Sequence, residues 1–137
     1  MEERELIRLA HEARHRAYSP YSGFKVGAAL LTKEGKVYQG CNIENASYGP
    51  TNCAERTAFF KAVSEGEREF EAIAIGGGKD EEGAYQTCAP CGVCRQVMME
   101  FCNPREFRIM QEDGNGGIRV YTLEELLPLG FGPENLQ

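Results

Sequence analysis

Four side chains could do chemistry together. Cys53 and Glu55 share the run Cys53-Ala54-Glu55, and Cys91 and Cys94 share Pro90-Cys91-Gly92-Val93-Cys94. A C-x2-C pair alone is ambiguous, because it suits thiol redox exchange, half of a zinc site, or simple packing. Cys53 and Cys91 each open a stretch of helical composition. Two helix N-termini meeting at one point would gather three thiolates, and their unpaired backbone N–H groups would offset part of the negative charge. Arg56 and Arg95 stand beside the cysteines and would offset more. Three protein ligands leave a fourth zinc position open, which is the catalytic arrangement, and a metal in such a site makes hydroxide available near neutral pH. Glu55 is then the residue to move protons.

Two other readings of the thiols remain. They could be buried and act as small hydrophobes. Cys88 could close a structural four-sulfur site, although that requires a tight fold across Pro90 and leaves Glu55 without a purpose. Cys41 and Cys102 read as core thiols. His11 and His15, four apart on one helix, have a spacing that could bind metal, but nothing joins them and they read as surface histidines. Gly76-Gly77-Gly78 lacks the lysine and hydroxyl of a phosphate loop.

These groups need elements to position them. Residues 3–17 predict an amphipathic helix, with Leu6, Leu9, Ala10, Ala13 and Ala17 on one face. Residues 24–31 and 37–41 read as a hairpin, and 42–52 as a polar loop. A helix over 53–63 precedes a short apolar strand at 71–75 and a loop at 76–87. A second helix starts at Pro90 or Cys91 and runs to about Phe101. Strands at 107–110 and 118–121 have too short a connection for a crossover and so run antiparallel. Thr122 and Glu125 form a capping-box signature for a helix at 123–127, and the tail 128–137 reads as loop. The order predicts a three-layer α/β/α fold with a mixed five-stranded central sheet in which helix-separated strands are parallel. Alanines 28 and 29 read as places where a helix packs closely.

Composition narrows the function. The 137 residues hold 42% apolar and 26% charged side chains, which suits one folded domain over 1–137. A net charge of −6 offers no broad basic face for nucleic acid or anionic membrane. No apolar run is long enough to span a bilayer, and the charged start does not resemble a secretory signal. Six cysteines with nothing to direct export point to a reducing, cytoplasmic setting.

The pairing of C-x-E with P-C-x-x-C is the three-cysteine form of the zinc deaminase signature. The sequence resembles the cytidine deaminase family, in particular its small homotetrameric branch. The likeness extends to Tyr18-Ser-Pro-Tyr-Ser-Gly-Phe-Lys-Val-Gly-Ala-Ala-Leu30, Gly40-Cys-Asn-Ile-Glu-Asn45, the metal motifs at 53–56 and 90–95, and Glu124-Glu-Leu-Leu-Pro128. It covers most of residues 6–131. The resemblance implies one zinc ion per chain on Cys53, Cys91 and Cys94, with Glu55 as catalytic proton shuttle and Arg56 in support. It implies that Asn42 and Glu44 hydrogen-bond the ribose, that Phe24 packs on the pyrimidine, and that the Ala54 carbonyl receives the exocyclic amine. Phe131 would be lent by a neighbouring subunit of a tetramer. The implied reaction is attack of zinc-held hydroxide at C4 of cytidine or 2′-deoxycytidine, giving the uridine product and ammonia in pyrimidine salvage. Alternatives are a deaminase of another aminated heterocycle (a nucleoside antibiotic, a modified cytidine or a nucleotide) and a non-catalytic zinc-stabilised scaffold. Residues 76–87 look longer than the family's usual connection.

Overall fold

The computed structural model describes residues 1–78 and 88–137. Its five strands are β1 (Lys25–Thr32), β2 (Val37–Cys41), β3 (Phe70–Gly78), β4 (Arg108–Glu112) and β5 (Ile118–Thr122). They form one sheet in the order β2-β1-β3-β4-β5. The helices are α1 (Glu3–Arg14), α2 (Ala54–Ser64), α3 (Gly92–Phe101) and α4 (Leu123–Leu126). The sheet is mixed, as expected, with β4 and β5 antiparallel. Among the described strands, only β3 and β4, joined through α3, pair in parallel. The expectation that helix-separated strands are parallel fails at β1 and β3, which pair antiparallel. The hairpin has already reversed the chain before α2, so β3 returns beside β1 in the opposite sense.

Period-two alternation in the central strands splits the core into two layers. Ala28, Leu30, Ile73, Ile75 and Ile109 face the layer containing Phe59, Met98 and Leu123. Ala29, Leu31, Ala72, Ala74 and Met110 face Leu6, Ile7 and Ala10 of α1. Phe59 anchors α2 over the sheet, edge-on to Phe70 at 5.1 Å and stacked on Phe101 at 6.3 Å. Each such ring pair adds roughly 0.5–1.5 kcal/mol beyond area burial.

The closest helix approaches fall on glycines beside the expected alanines. A β carbon at Gly27 would overlap the Ala10 carbonyl of α1, and one at Gly40 would lie 2.5 Å from the Ala54 carbonyl and the Ala58 nitrogen of α2. Helices seat this deeply only where the sheet carries no side chain.

Several boundaries differ from the sequence reading. The first helix ends at Arg14, not residue 17, because Tyr18 leaves to pair with Ile43. The Tyr18 N–H donates to the Asn42 carbonyl at 3.0 Å, and the Glu44 N–H donates to the Tyr18 carbonyl at 2.8 Å. Ala17 is therefore outside the helical stripe, whereas Arg14, read as neither core nor site, is fully buried. The loop expected from residue 76 begins later, since Gly76, Gly77 and Gly78 continue β3 opposite Gly27, Val26 and Lys25. The remainder of that loop, 79–87, lies outside the described residues. The tail contains a short 3₁₀ turn, Pro133–Leu136, instead of being irregular throughout. The capping box joining Thr122 and Glu125 is present.

Candidate active site

Cys53 is the N-cap of α2 and Cys91 the N-cap of α3, and Cys94 lies one turn further along α3. The two helix N-termini converge as the spacing predicts. The three sulfurs lie within 4.8 Å of one another. Cys53 Sγ is 3.7 Å from Cys91 Sγ, and Cys91 Sγ is 3.5 Å from Cys94 Sγ. Tetrahedral zinc with Zn–S bonds of about 2.3 Å requires sulfurs roughly 3.8 Å apart. The triangle is thus the right size for zinc and far too wide for a disulfide. The sulfur chemistry suits the same ion.

Charge at the cluster favours thiolate at Cys53. The Cys94 thiol donating to Cys53, together with the Arg56 guanidinium, draws Cys53 down to about 5. The shared proton stays on Cys94, whose hydrogen bond to Cys53 and burial both raise its pKa. Arg56 Nη2 donates to Cys53 Sγ at 3.3 Å, the supporting place expected for it. Arg95 behaves differently from its expected part in charge offset. Its Nε donates to the Pro90 carbonyl at 2.8 Å and its Nη1 to the Leu126 carbonyl. It therefore staples the loop carrying Cys91 to the end of α4. Cys88 is not in the sulfur cluster, and burial pushes its thiol up to about 12.

Glu55 is the second residue of α2 and is only 4% exposed. Burial, with the charge on Cys53 adding to it, pushes its carboxyl up to about 7. A carboxyl in this range both accepts and returns protons near neutrality.

A second group of candidates is tied to the first by short backbone pairings. Ile43 pairs with Asn52, the residue before Cys53, and with Tyr18. Asn52 Nδ2 donates to Thr57 Oγ1 at 3.1 Å, and Thr57 Oγ1 donates to the Cys53 carbonyl at 3.2 Å. Asn42 Oδ1 accepts from the Val26 N–H at 2.8 Å, and its Nδ2 donates to the Phe24 carbonyl at 2.9 Å. Glu44 lines an open cavity of about 380 Å³ with Tyr21, Ser22, Asn45, Tyr48 and Thr51. A larger cavity of about 580 Å³, between α3 and the tail, contains none of the candidate residues.

Two candidates stand apart. Ala54 is 0% exposed and its carbonyl faces Gly40, so that oxygen is closed to a ligand in this conformation. Phe131 is 58% exposed and lines neither cavity, while its carbonyl accepts from Gln96 Nε2 at 2.8 Å. Asn52, Thr57 and Ser22 escaped the sequence reading, because polar residues in loops and first turns look like ordinary solvated surface.

Three cysteine sulfurs on two helix ends beside a buried carboxyl define a zinc hydrolase type of site, with three protein ligands and one position for water. Residues 1–110 match the family described as the cytidine and deoxycytidylate deaminase zinc-binding region. A cytidine deaminase of Sporosarcina psychrophila is 50% identical over 136 residues, 99% of this chain and 96% of that protein. One from Halalkalibacterium halodurans is also 50% identical over 136 residues, 99% of this chain and 98% of its own. The crystal structure of cytidine deaminase from Burkholderia pseudomallei superposes with a TM-score of 0.86 at 50% identity, covering 96% of this chain and 100% of that one. This chain belongs to the cytidine deaminase family.

Proposed function

We propose that this protein hydrolyses the 4-amino group of cytidine and 2′-deoxycytidine, consuming water and releasing ammonia and the corresponding uridine. The observation that carries this reading is the buried Glu55 carboxyl beside a sulfur triangle of zinc dimensions. Cys53, Cys91 and Cys94 hold one zinc ion, which when bound supplies Lewis-acid activation of water near neutral pH. Glu55 takes the proton that water gives up and passes it to N3 of the base, then takes the proton of the hydroxyl now on C4 and delivers it to the departing amine. One carboxyl suffices because each proton it accepts is the next it must supply. Arg56 keeps Cys53 anionic and in place.

Asn42 and Glu44 hydrogen-bond the sugar, and Phe24 packs against the base. Acceptor-rich groups of this kind select a nucleoside over the free base, since a ligand without hydroxyls leaves them unpaired. A 5′-phosphate would meet Glu44 in a cavity that includes no Lys or Arg among its described lining residues. Phe131 closes the site of a neighbouring copy in a homotetramer, a reading supported by its exposure and that of Tyr48 and Leu129. The six free cysteines suit the reducing cytoplasm.

The test is the ultraviolet absorbance change when pure protein meets cytidine, with a chelator-stripped sample alongside. Conversion to uridine that disappears on stripping and returns with zinc is expected. A protein that holds one zinc per chain and leaves cytidine unchanged overturns the substrate assignment.

A further inference from the structure

Glu44 is held by its surroundings more tightly than a loop carboxylate needs to be. Oε1 accepts the backbone N–H of Tyr21 at 3.0 Å and that of Ser22 at 3.1 Å. Oε2 accepts the Ser22 hydroxyl. That hydroxyl in turn accepts the Phe24 N–H at 3.0 Å. The Phe24 carbonyl accepts from Asn42, whose own oxygen takes the Val26 N–H. Among the described residues, Ser22 is thus the one side chain joined both to Glu44 and to the backbone of Phe24. Tyr21, Ser22 and Glu44 all line the same cavity.

The hydrogen-bond count limits what Glu44 can do. An ionised carboxylate has about four acceptor sites. The described residues fill three, two on Oε1 and one on Oε2. One site on Oε2 is left to take a single hydroxyl, and the Ser22 hydroxyl sets its direction. Accepting three donors also holds the carboxylate ionised, with the Ser22 hydroxyl the leading cause and the two N–H groups adding to it. The two N–H bonds come from the backbone and do not depend on the Ser22 hydroxyl. Removing the hydroxyl alone frees Oε2 to rotate out of its aim while the loop keeps its path.

We infer that Ser22 is a positioning residue for nucleoside binding, aiming one oxygen of Glu44 at the 3′-hydroxyl of the sugar. The inference rests on the assignment of Glu44 to the sugar. Ser22 touches no reacting atom, so its loss acts on KM and spares kcat. It is exposed, and its replacement opens no core cavity.

The experiment compares zinc-loaded wild type, Ser22→Ala, Ser22→Thr and Glu44→Ala, each with 2′-deoxycytidine and with 2′,3′-dideoxycytidine, after thermal melts show each variant folded. Ser22→Ala is expected to raise KM for deoxycytidine about tenfold, the worth of one charge-assisted hydrogen bond, with kcat within about twofold. Ser22→Thr, which keeps the hydroxyl, restores KM. With the dideoxynucleoside, which lacks the 3′-hydroxyl and keeps the 5′-hydroxyl, Ser22→Ala matches wild type. A normal KM for Ser22→Ala while Glu44→Ala is impaired overturns the inference and leaves Glu44 on the sugar. A normal KM for Glu44→Ala overturns the sugar assignment itself, and Ser22 with it. An equal loss on both nucleosides, or a loss in kcat, overturns the inference by making Ser22 a general support of the loop.

Discussion

At the scale of single residues, the site divides proton transfer from metal retention, and substitutions should separate the two. Glu55→Gln keeps the shape of a buried side chain at the start of α2 but has no proton to accept or return. Turnover is expected to fall by at least about 10²–10⁴-fold, the usual worth of a positioned acid–base group, while atomic absorption still finds one zinc per chain. Loss of zinc along with turnover would instead make Glu55 a ligand. Arg56→Gln should do the converse. Its guanidinium sits 3.3 Å from Cys53 Sγ, and removing that charge weakens a ligand without touching the proton path. Groups that support metal ligands are typically worth about 10–100-fold in metal affinity. Zinc transfer to a chromophoric chelator should be faster by that order, and turnover per bound zinc should stay near wild type.

These residues were legible in the sequence because soft ligands, a C-x-E and a proline-led C-x2-C leave few other uses for that combination. Ser22 and Thr57 were not legible. A hydroxyl's role depends on what faces it, and nothing in the chain's local pattern says that Glu44 folds back over Ser22.

Elements fix where these groups stand, and the most informative contacts at that scale are backbone against backbone. A β carbon at Gly40 would lie 2.5 Å from atoms of the first two turns of α2, the helix that carries Cys53 and Glu55. A β carbon at Gly27 meets α1 harder still, 2.0 Å from the Ala10 carbonyl, but on the opposite face of the sheet. Gly40→Ala and Gly27→Ala should therefore both lower unfolding free energy, by about 3 kcal/mol each as overpacked sites. Only Gly40→Ala should also speed zinc loss, because only there does the displaced helix carry a ligand. Urea unfolding followed by chelator competition reads both quantities. Faster zinc loss in Gly27→Ala would show that the two faces are not mechanically independent.

The sequence pattern located this packing approximately, pointing to the alanines at 28 and 29, and the glycines either side of the hairpin turn out to bear the tightest approach. Helix existence was legible from apolar periodicity. The end of α1 was not, because it is set by Tyr18 pairing with Ile43, a tertiary event 25 residues away. The same holds for Gly76–Gly78, whose composition suggests a loop but whose register opposite Lys25–Gly27 makes them strand.

For the molecule as a whole, the order of elements foretold three layers and an antiparallel last pair, and missed the antiparallel pairing of β1 and β3. It also took His11 for a surface residue. In the folded chain the His11 ring lies over Gly76, where a β carbon would come within 2.5 Å of it. This contact closes the α1 face of the sheet at one end. Burial lowers the pKa of His11 below its ordinary 6.5, with Arg14 of α1 and His15 just beyond it acting in the same direction and Glu112 of β4, 3.6 Å away, opposing. The unfolded chain then binds the proton more readily than the folded one, so stability rises with pH across this window. The contribution is complete above about 6.5 and is lost as pH falls from there through the lowered folded value. Wild-type unfolding midpoints measured in urea at pH 7.5, 6.5 and 5.5 should decline over the lower step. His11→Gln, which cannot take up the proton, should show a shallower decline over the same step, with the residual slope left to the carboxylates. Because His11 lies on the sheet face opposite α2 and α3, zinc content should not change between these pH values in either protein before unfolding begins. Parallel curves for the two proteins would assign the pH dependence to groups other than His11. A steeper curve for the variant would mean that the ion pair with Glu112 outweighs burial and that the protonated ring stabilises the fold.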